Sequence, residues 1–317
     1  MITVHRNAET DARHAQGHAH YTWINLIDPN PDEIEQALAL APLGAEFIEH
    51  ALDQHECPRI ESEDESTLVV IRAPYLEKRY GDERRSTVPI GIILTPSVIT
   101  TICRVDDAAI QARLHNSGQS AGSTRVEHRL CHIITETSLL FMRYLKEISA
   151  EIQELEHDLA DTRSNEDLKL LLNLQKSVTY FHSALKTNDF IIDRMIRKGL
   201  PVGDSARLSF TEDELDGLDD ALTETRQGIY MSKIFTDVLR SIADVYSSII
   251  SNSVNQIMKV LTSLTVIIMI PTFITSFYGM NIELPFQHDA TAISIVSGIG
   301  AALTVAIIIL MKARRIL

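Results

Sequence analysis

Residues 255–281 read NQIMKVLTSLTVIIMIPTFITSFYGMN, and this stretch decides how the rest of the chain must be organised. From Ile257 to Tyr278 it runs for 22 residues with one charge, Lys259, at its entrance. At ~1.5 Å rise per residue, a helix of that length crosses a hydrocarbon core of ~30 Å. The helix is not apolar all round. Asp244, Ser248, Ser251, Asn255, Met258, Thr262, Thr265, Met269, Thr272, Ser276 and Gly279 follow one another in steps of three and four. Such steps keep residues on one helix face. The stripe starts with a carboxylate, continues through hydroxyls, an amide and thioethers, and ends in a glycine; the rest of the surface is Ile, Val, Leu and Phe. A spanning helix with one polar face turns that face to protein or to water. A helix–helix contact would also use Ser and Thr, so the stripe alone leaves both readings open.

The first spanning helix closes on Tyr278-Gly279-Met280-Asn281, and a short loop leads into a second apolar run. In that position the tetrapeptide resembles the CorA family of magnesium channels, as do MKVLT at 258–262 and IPTF at 270–273. WINLIDPNPDEIEQAL from Trp23 and CPRIESEDESTLVVIRAPY from Cys57 are similar to the family's opening segments, so the resemblance covers most of the chain.

Composition sets bounds of its own. The chain carries 29 Lys and Arg against 43 Asp and Glu, a formal net charge of −14. That excludes the basic surface a nucleic-acid partner requires and suits cations or a solvated cytosolic surface. The three cysteines, Cys57, Cys103 and Cys131, lack zinc-site spacing and read as reduced thiols. The N-terminal residues have no apolar run, so membrane insertion is expected from the C-terminal end.

Taken in order, residues 1–20 hold His5, His14, His18 and His20 without partners at fixed spacing, which reads as a polar surface strand or loop. Trp23–Leu26 reads as a strand. Asn30 is placed to cap a helix that has Pro31 first and Asp32 and Glu33 in its first turn. A second helix is expected from Leu43 to Leu52, and His50, His55 and Cys57 fall on a turn before Pro58. Short apolar runs at 68–71 and 90–94 suit buried strands, the latter in a hairpin with Val98–Cys103. Asp106–His115 is a short helix, and the polar run 116–123 is a linker.

Beyond the linker only helices are expected. Val126–Asp161 is acidic towards its end, and Asp167–Arg197 closes at Gly199; Ser164 caps the turn between them. From Thr211 no breaker appears before Pro271, which implies one helix of about 60 residues, on the order of 90 Å. A helix that long wants parallel neighbours, and copies of the same chain are the natural ones. Ala290–Met311 is a second spanning segment, with Ser294, Gly298 and Ala302 forming a small-residue face for packing. Lys312, Arg314 and Arg315 follow it, whereas the loop Ile282–Asp289 has no Lys or Arg. By the positive-inside rule both termini are then cytosolic.

The expected fold is thus an α+β membrane protein in three parts. Residues 1–123 form a cytosolic α/β domain and 124–256 a long-helix bundle and stalk. Residues 257–317 form the membrane domain, with spans at about 257–278 and 290–311, an outer loop at 279–289 and a basic tail at 312–317. The resemblance implies a funnel-shaped homopentamer in the cell membrane, with the long helix lining a central pore.

It also implies a role for each site residue. Tyr278, Gly279, Met280 and Asn281 would form the outer selectivity ring for a hydrated cation. The stripe from Asp244 to Ser276 would line the path, with Leu261 and Met269, beside Met258, as a hydrophobic constriction. The loop lacks the Met-Pro-Glu-Leu sequence many members carry after the motif, which leaves Glu283 and Asp289 as attractors at the mouth. Asp219 and Asp220 would take part in regulatory Mg²⁺ binding between subunits. No cofactor is implied beyond transported and regulatory Mg²⁺, and the expected partners are copies of the chain, divalent cations and membrane lipid. Phosphate-cradling, nucleophile-elbow and HExxH motifs are missing from the sequence, so passive transport of Mg²⁺, with Co²⁺ or Ni²⁺, is expected and not catalysis. A Zn²⁺ transporter of the same superfamily and a non-conducting membrane-anchored scaffold or sensor are the alternatives; the first usually varies the methionine at the place of Met280.

Overall fold

The computed structural model describes residues 1–6, 21–41, 44–63, 65–79, 82–116, 125–158, 165–202, 206–281 and 291–314. His14, His18, His20, the 117–123 part of the linker, Asp161, Ser164, Glu283, Asp289 and Arg315 lie outside them. The chain divides into two compact units, Met1–Ile242 and Ala243–Leu317.

The first unit is built on a six-stranded sheet in the order β1-β2-β6-β5-β4-β3. Its strands are β1 (Ile2–Arg6), β2 (Thr22–Ile27), β3 (Arg59–Glu63), β4 (Ser66–Arg79), β5 (Asp82–Leu94) and β6 (Val98–Cys103). Only β2 and β6 run parallel; the other neighbours are antiparallel, including the expected β5–β6 hairpin. Helices α1 (Pro31–Leu40) and α2 (Ala45–Leu52) cover one face, where Ile24, Leu26, Phe47, Ile48, Leu68, Val70, Ile93 and Ile102 form the core. The α1 start is as the sequence implies: Asn30 Oδ1 accepts from Glu33 N at 2.9 Å, and Glu33 Oε2 accepts from Asn30 N at 3.0 Å. Backbone and helix approach most closely at Gly91, where an added Cβ would lie 2.3 Å from the Ala51 Cβ.

The strands are more extensive than the apolar runs suggest. β4 and β5 pair from Thr67↔Leu94 out to Arg79↔Asp82, far beyond the apolar segments 68–71 and 90–94. In their outer halves opposite charges sit directly across the ladder, Glu77 with Arg84 at 2.5 Å and Lys78 with Glu83 at 2.9 Å. The other sheet face carries α3 (Ala108–Asn116) and the long helices α4 (Val126–Asp158) and α5 (Asn165–Lys198). Asn188 of α5 clamps onto β4, accepting from Arg72 N at 2.9 Å and donating to Arg72 O at 2.8 Å, as a neighbouring strand would. Arg85 of β5 reaches α4, donating to Glu151 at 2.6 Å and Glu147 at 3.3 Å. Part of the acidic end of α4 is therefore already paired.

Gly199 ends α5 with φ +66, in the role the sequence gives it. The expectation of helices alone after the linker is corrected here: β7 (Leu200–Val202) and β8 (Ala206–Leu208) form a short hairpin. Ser62 and Thr67 hydroxyls dock it by donating to Pro201 O. Helix α6 (Glu212–Tyr278, 67 residues) then starts from a Thr211–Glu214 capping box, with Glu214 N to Thr211 Oγ1 at 3.3 Å and Thr211 N to Glu214 Oε2 at 2.8 Å.

The second unit contains the rest of α6 and α7 (Ala292–Ala313). Both helices are long and apolar enough to cross a membrane, with mean hydropathy of 2.0 and 2.5. α6 continues through Pro271, which removes one backbone donor. The Thr275 hydroxyl donates to Pro271 O at 3.0 Å, a side-chain bond to the helix backbone one turn back. α7 packs on α6 through Ser297, Gly300, Ala301 and Thr304, which face Pro271, Ile274 and Thr275 across a groove of about 430 Å³. A Cβ on Gly300 would meet Ile274 at 3.7 Å. This corrects the expected packing face: Ser294, Gly298 and Ala302 are exposed, and nothing lies within 4 Å of the Gly298 position.

Candidate functional site

Every predicted residue of the polar stripe lies on α6, and all of them are exposed: Asp244, Ser248, Ser251, Asn255, Met258, Thr262, Thr265, Met269, Thr272 and Ser276. The less exposed positions of the membrane stretch before Tyr278 are Ser263, Val266, Ile267, Ile270, Pro271 and Ile274, centred on the side where α7 packs. At ~100° per residue, that contact side lies roughly 150° round the helix from Met258, Thr262, Thr265, Met269 and Thr272. α7 thus covers the back of α6 and leaves the polar face open. Lys259 projects about a quarter turn away from the stripe by the same spacing, so no cation interrupts the face between Asn255 and Ser276.

The hydroxyls on this face have a defined polarity. Thr265 Oγ1 donates to Leu261 O and Thr272 Oγ1 to Ile268 O, each at 2.8 Å. Their protons are committed to their own helix, so the outward side of each oxygen presents lone pairs. Leu261 (54% exposed) and Met269 (64% exposed) project large apolar side chains among these oxygens. At the N-terminal end of the unit, Asp244, Ser248, Ser251 and Asn255 line one open depression together with Ser247 and Asn252. Sequence reasoning missed Ser247, although it sits three residues after Asp244 and four before Ser251, in the same periodicity.

The motif residues cap the same helix. Gly279 N donates to Thr275 O at 3.0 Å and to Ser276 O at 3.2 Å, and Met280 N donates to Phe277 O at 3.4 Å. Tyr278 is half-buried, whereas Gly279, Met280 and Asn281 are exposed. Gly279 does not occupy the left-handed region, and a Cβ there would meet only Ser276 O and Thr275 O at an ordinary 3.4 Å. Among the described residues nothing requires glycine at this position.

Asp219 and Asp220 are exposed on the part of α6 that belongs to the first unit. Among the described residues no three His, Cys, Asp or Glu side chains gather into a metal site. The His50–Cys57 turn is likewise no cluster; His50 Nδ1 lies 3.5 Å from Glu56 Oε2, and Cys57 is a free, exposed thiol. Glu283 and Asp289 fall outside the described residues.

Comparison with known proteins matches this arrangement over nearly the whole chain. The pattern of the CorA-like Mg²⁺ transporter proteins matches residues 18–315. A cobalt/magnesium transport protein CorA from Methanocaldococcus jannaschii is 30% identical over 273 residues, which cover 84% of this chain and 82% of that one. The protein of the same name from Thermotoga maritima is 23% identical over 269 residues, or 83% of this chain and 73% of that one. The complete structure of the CorA magnesium transporter from M. jannaschii superposes with a TM-score of 0.78 at 25% identity, covering 98% of this chain and 97% of that chain. With two helices long enough to span a bilayer and this match from end to end, the chain belongs to the family of CorA-like Mg²⁺ transporter proteins.

Proposed function

We propose that this protein is a passive channel for hydrated Mg²⁺, with Co²⁺ as a further cargo, formed by copies of α6 that turn their polar faces to a common axis. A homopentamer in the cell membrane with both termini in the cytosol is the assembly that fits the family. The observation that carries the reading is the uncovered polar face. It runs from Asp244 to Gly279 without a cation, with α7 packed on the far side. Hydrocarbon does not tolerate such a face, so water or another polar face must meet it.

The chemistry of the face suits Mg²⁺. This ion sheds water reluctantly and usually keeps several ligating waters. Between Asn255 and Ser276 the stripe offers hydroxyl and amide oxygens and no carboxylate, a lining that accepts hydrogen bonds from a hydration shell without trapping the ion. The lone pairs of Thr265 and Thr272 point outward for this role. Copies of Asp244 would concentrate cations at the cytosolic end. Gly279 and Asn281 would bring backbone and side-chain carbonyls to the outer end, between Tyr278 and Met280. Glu283 and Asp289 would draw cations to the mouth.

Leu261 and Met269 would form the constriction that closes by excluding water. Asp219 and Asp220 would contribute to a closing site for cytosolic Mg²⁺ completed by a neighbouring copy, since a hydrated Mg²⁺ needs only one or two carboxylates. Entry is driven by the membrane potential, at ~4.6 kcal/mol per 100 mV for a divalent ion.

The test is ion flux through the purified full chain in liposomes, measured separately for Mg²⁺, Co²⁺, Ni²⁺ and Zn²⁺. Potential-driven Mg²⁺ entry without an energy source supports the reading. Flux confined to Zn²⁺ would move the protein to the zinc branch, and no flux of any of the four would make it a scaffold or sensor.

A further inference from the structure

Arg129 is a buried cation that the transport reading does not use. It lies in the first turn of α4 and is 1% exposed. Its Cζ sits 3.8 Å from the centre of the Trp23 ring, and Nη2 donates to Leu114 O at 2.6 Å. Among the described residues Nε and Nη1 have no partner, and no carboxylate pairs with the guanidinium. Burial pulls its pKa down to about 10, and Tyr21 is the one ionisable neighbour that opposes the shift. Its place aggravates the situation, because the N-terminal turn of a helix carries partial positive charge and disfavours a cation. An unpaired guanidinium loses its hydration on burial, and a stacked indole returns only part of that loss.

The surroundings are rich in donors. β1 and β2 place His5 directly opposite Trp23, and the two rings stack at 4.6 Å. His115, at the end of α3, meets His5 at 5.2 Å and Trp23 at 5.6 Å. His5 is exposed, while His115 and Tyr21 are half-buried, so they stand between Arg129 and solvent. On the same sheet face Asn25 Nδ2 donates to Gln111 Oε1 at 3.3 Å, which leaves Gln111 Nε2, another buried donor, without a partner. The unmet hydrogen-bonding capacity of these nitrogens is donor capacity. A water accepts from one or two of these donors, whereas an anion accepts from several together and also balances the buried charge.

We propose that Arg129, with His5, His115 and Tyr21 at its rim, forms a binding site for a small oxyanion of the phosphate class. Nη2 keeps a second N–H beside the one given to Leu114 O, and with Nε on one side or Nη1 on the other it makes the two-pronged edge that binds two oxygens of one oxyanion. The imidazoles and the phenol supply further donors. The anion would also neutralise the positive end of α4.

Trp23 is the single tryptophan of the chain, and it touches both Arg129 and His5, so its emission reports on this site. The experiment titrates the full-length protein in detergent, free of divalent cations, with inorganic phosphate at constant ionic strength. Chloride serves as the control. A saturable change in Trp23 emission with phosphate and not with chloride is expected. Arg129→Lys keeps the charge but loses the two-pronged edge and should weaken binding ~10-fold or more, the worth of one charge-assisted hydrogen bond. The paired substitution His5→Ala with His115→Ala changes residues outside the core and should weaken it several-fold. A flat phosphate titration of the wild-type protein overturns the proposal. So does an unchanged dissociation constant in the histidine pair, which decides the matter even if Arg129→Lys fails to fold.

Discussion

Two glycines show how differently the two units of this protein account for their own sequence. Gly91 lies in the middle of β5 under α2, where a Cβ would come within 2.3 Å of the Ala51 Cβ and 3.1 Å of its Cα. The chain itself explains why no side chain is there. Gly279 lies at the end of α6, exposed, outside the left-handed region, and a methyl there would make only ordinary contacts. The first unit closes over a core and pairs most of its buried polar groups within itself, Arg129 and Gln111 aside. The second leaves Ile257, Val260, Leu264, Phe273, Met258 and Met269 all more than half exposed, beside a row of hydroxyls. Lipid or a neighbour must cover the first surface, and water or a neighbour's polar face must meet the second.

The comparison breaks first at Gly279. Gly279→Ala should reduce Mg²⁺ flux in liposomes to background while leaving the thermal unfolding of the protein unchanged, because the added methyl is crowded only where copies converge. Flux at the wild-type level would show that no copies converge there. Gly91→Ala should do the reverse. Overpacking against the α2 backbone costs roughly 1–3 kcal/mol, read as a lowered denaturation midpoint, and any molecules that remain folded should conduct normally. A midpoint equal to wild type would mean that α2 shifts freely on the sheet.

Smaller effects sharpen the account of the open face. Met269→Asp or Leu261→Asn should wet the constriction and raise leak at high cytosolic Mg²⁺ several-fold; closed-state conductance equal to wild type in both removes them from the gate. Asp219→Asn combined with Asp220→Asn should move Mg²⁺ protection of the α6 stalk from protease to higher Mg²⁺, a shift of a few-fold. An unchanged protection curve would place the regulatory site elsewhere.

The difference between the units also governs how much was legible in the sequence. Long helices with a regular apolar period, a capping box at Asn30 and a glycine stop at Gly199 could be read directly, because each rests on interactions within a few residues. β1 and β3 could not: ITVHR and RIESE are edge strands too short and too polar to show a clear alternation, and their strand character comes from pairing with β2 and β4. The charged outer halves of β4 and β5 hid for a related reason, since their strand character lies in cross-strand pairs such as Glu77–Arg84 and not in an apolar alternation. The three-residue strands β7 and β8 are too short to show a period. In the membrane unit the polar stripe was visible in full apart from Ser247, yet the packing side of α7 was misread by about a third of a turn. Ser294-Gly298-Ala302 and Ser297-Gly300/Ala301-Thr304 are both small-residue rows, and only the position of α6 distinguishes them. Arg129 was passed over because a basic residue in a helix reads as a surface residue until its burial is known.

The central claim is that the open face of α6, ending at Asn281, is an ion path. It is tested most directly by Mg²⁺ uptake into liposomes holding wild-type protein or Asn281→Ala, with the oligomer of each confirmed by its mass in detergent. The account predicts potential-driven uptake by the wild type and none above background by Asn281→Ala, with both assembled to the same size. Wild-type uptake by an assembled Asn281→Ala protein would contradict it.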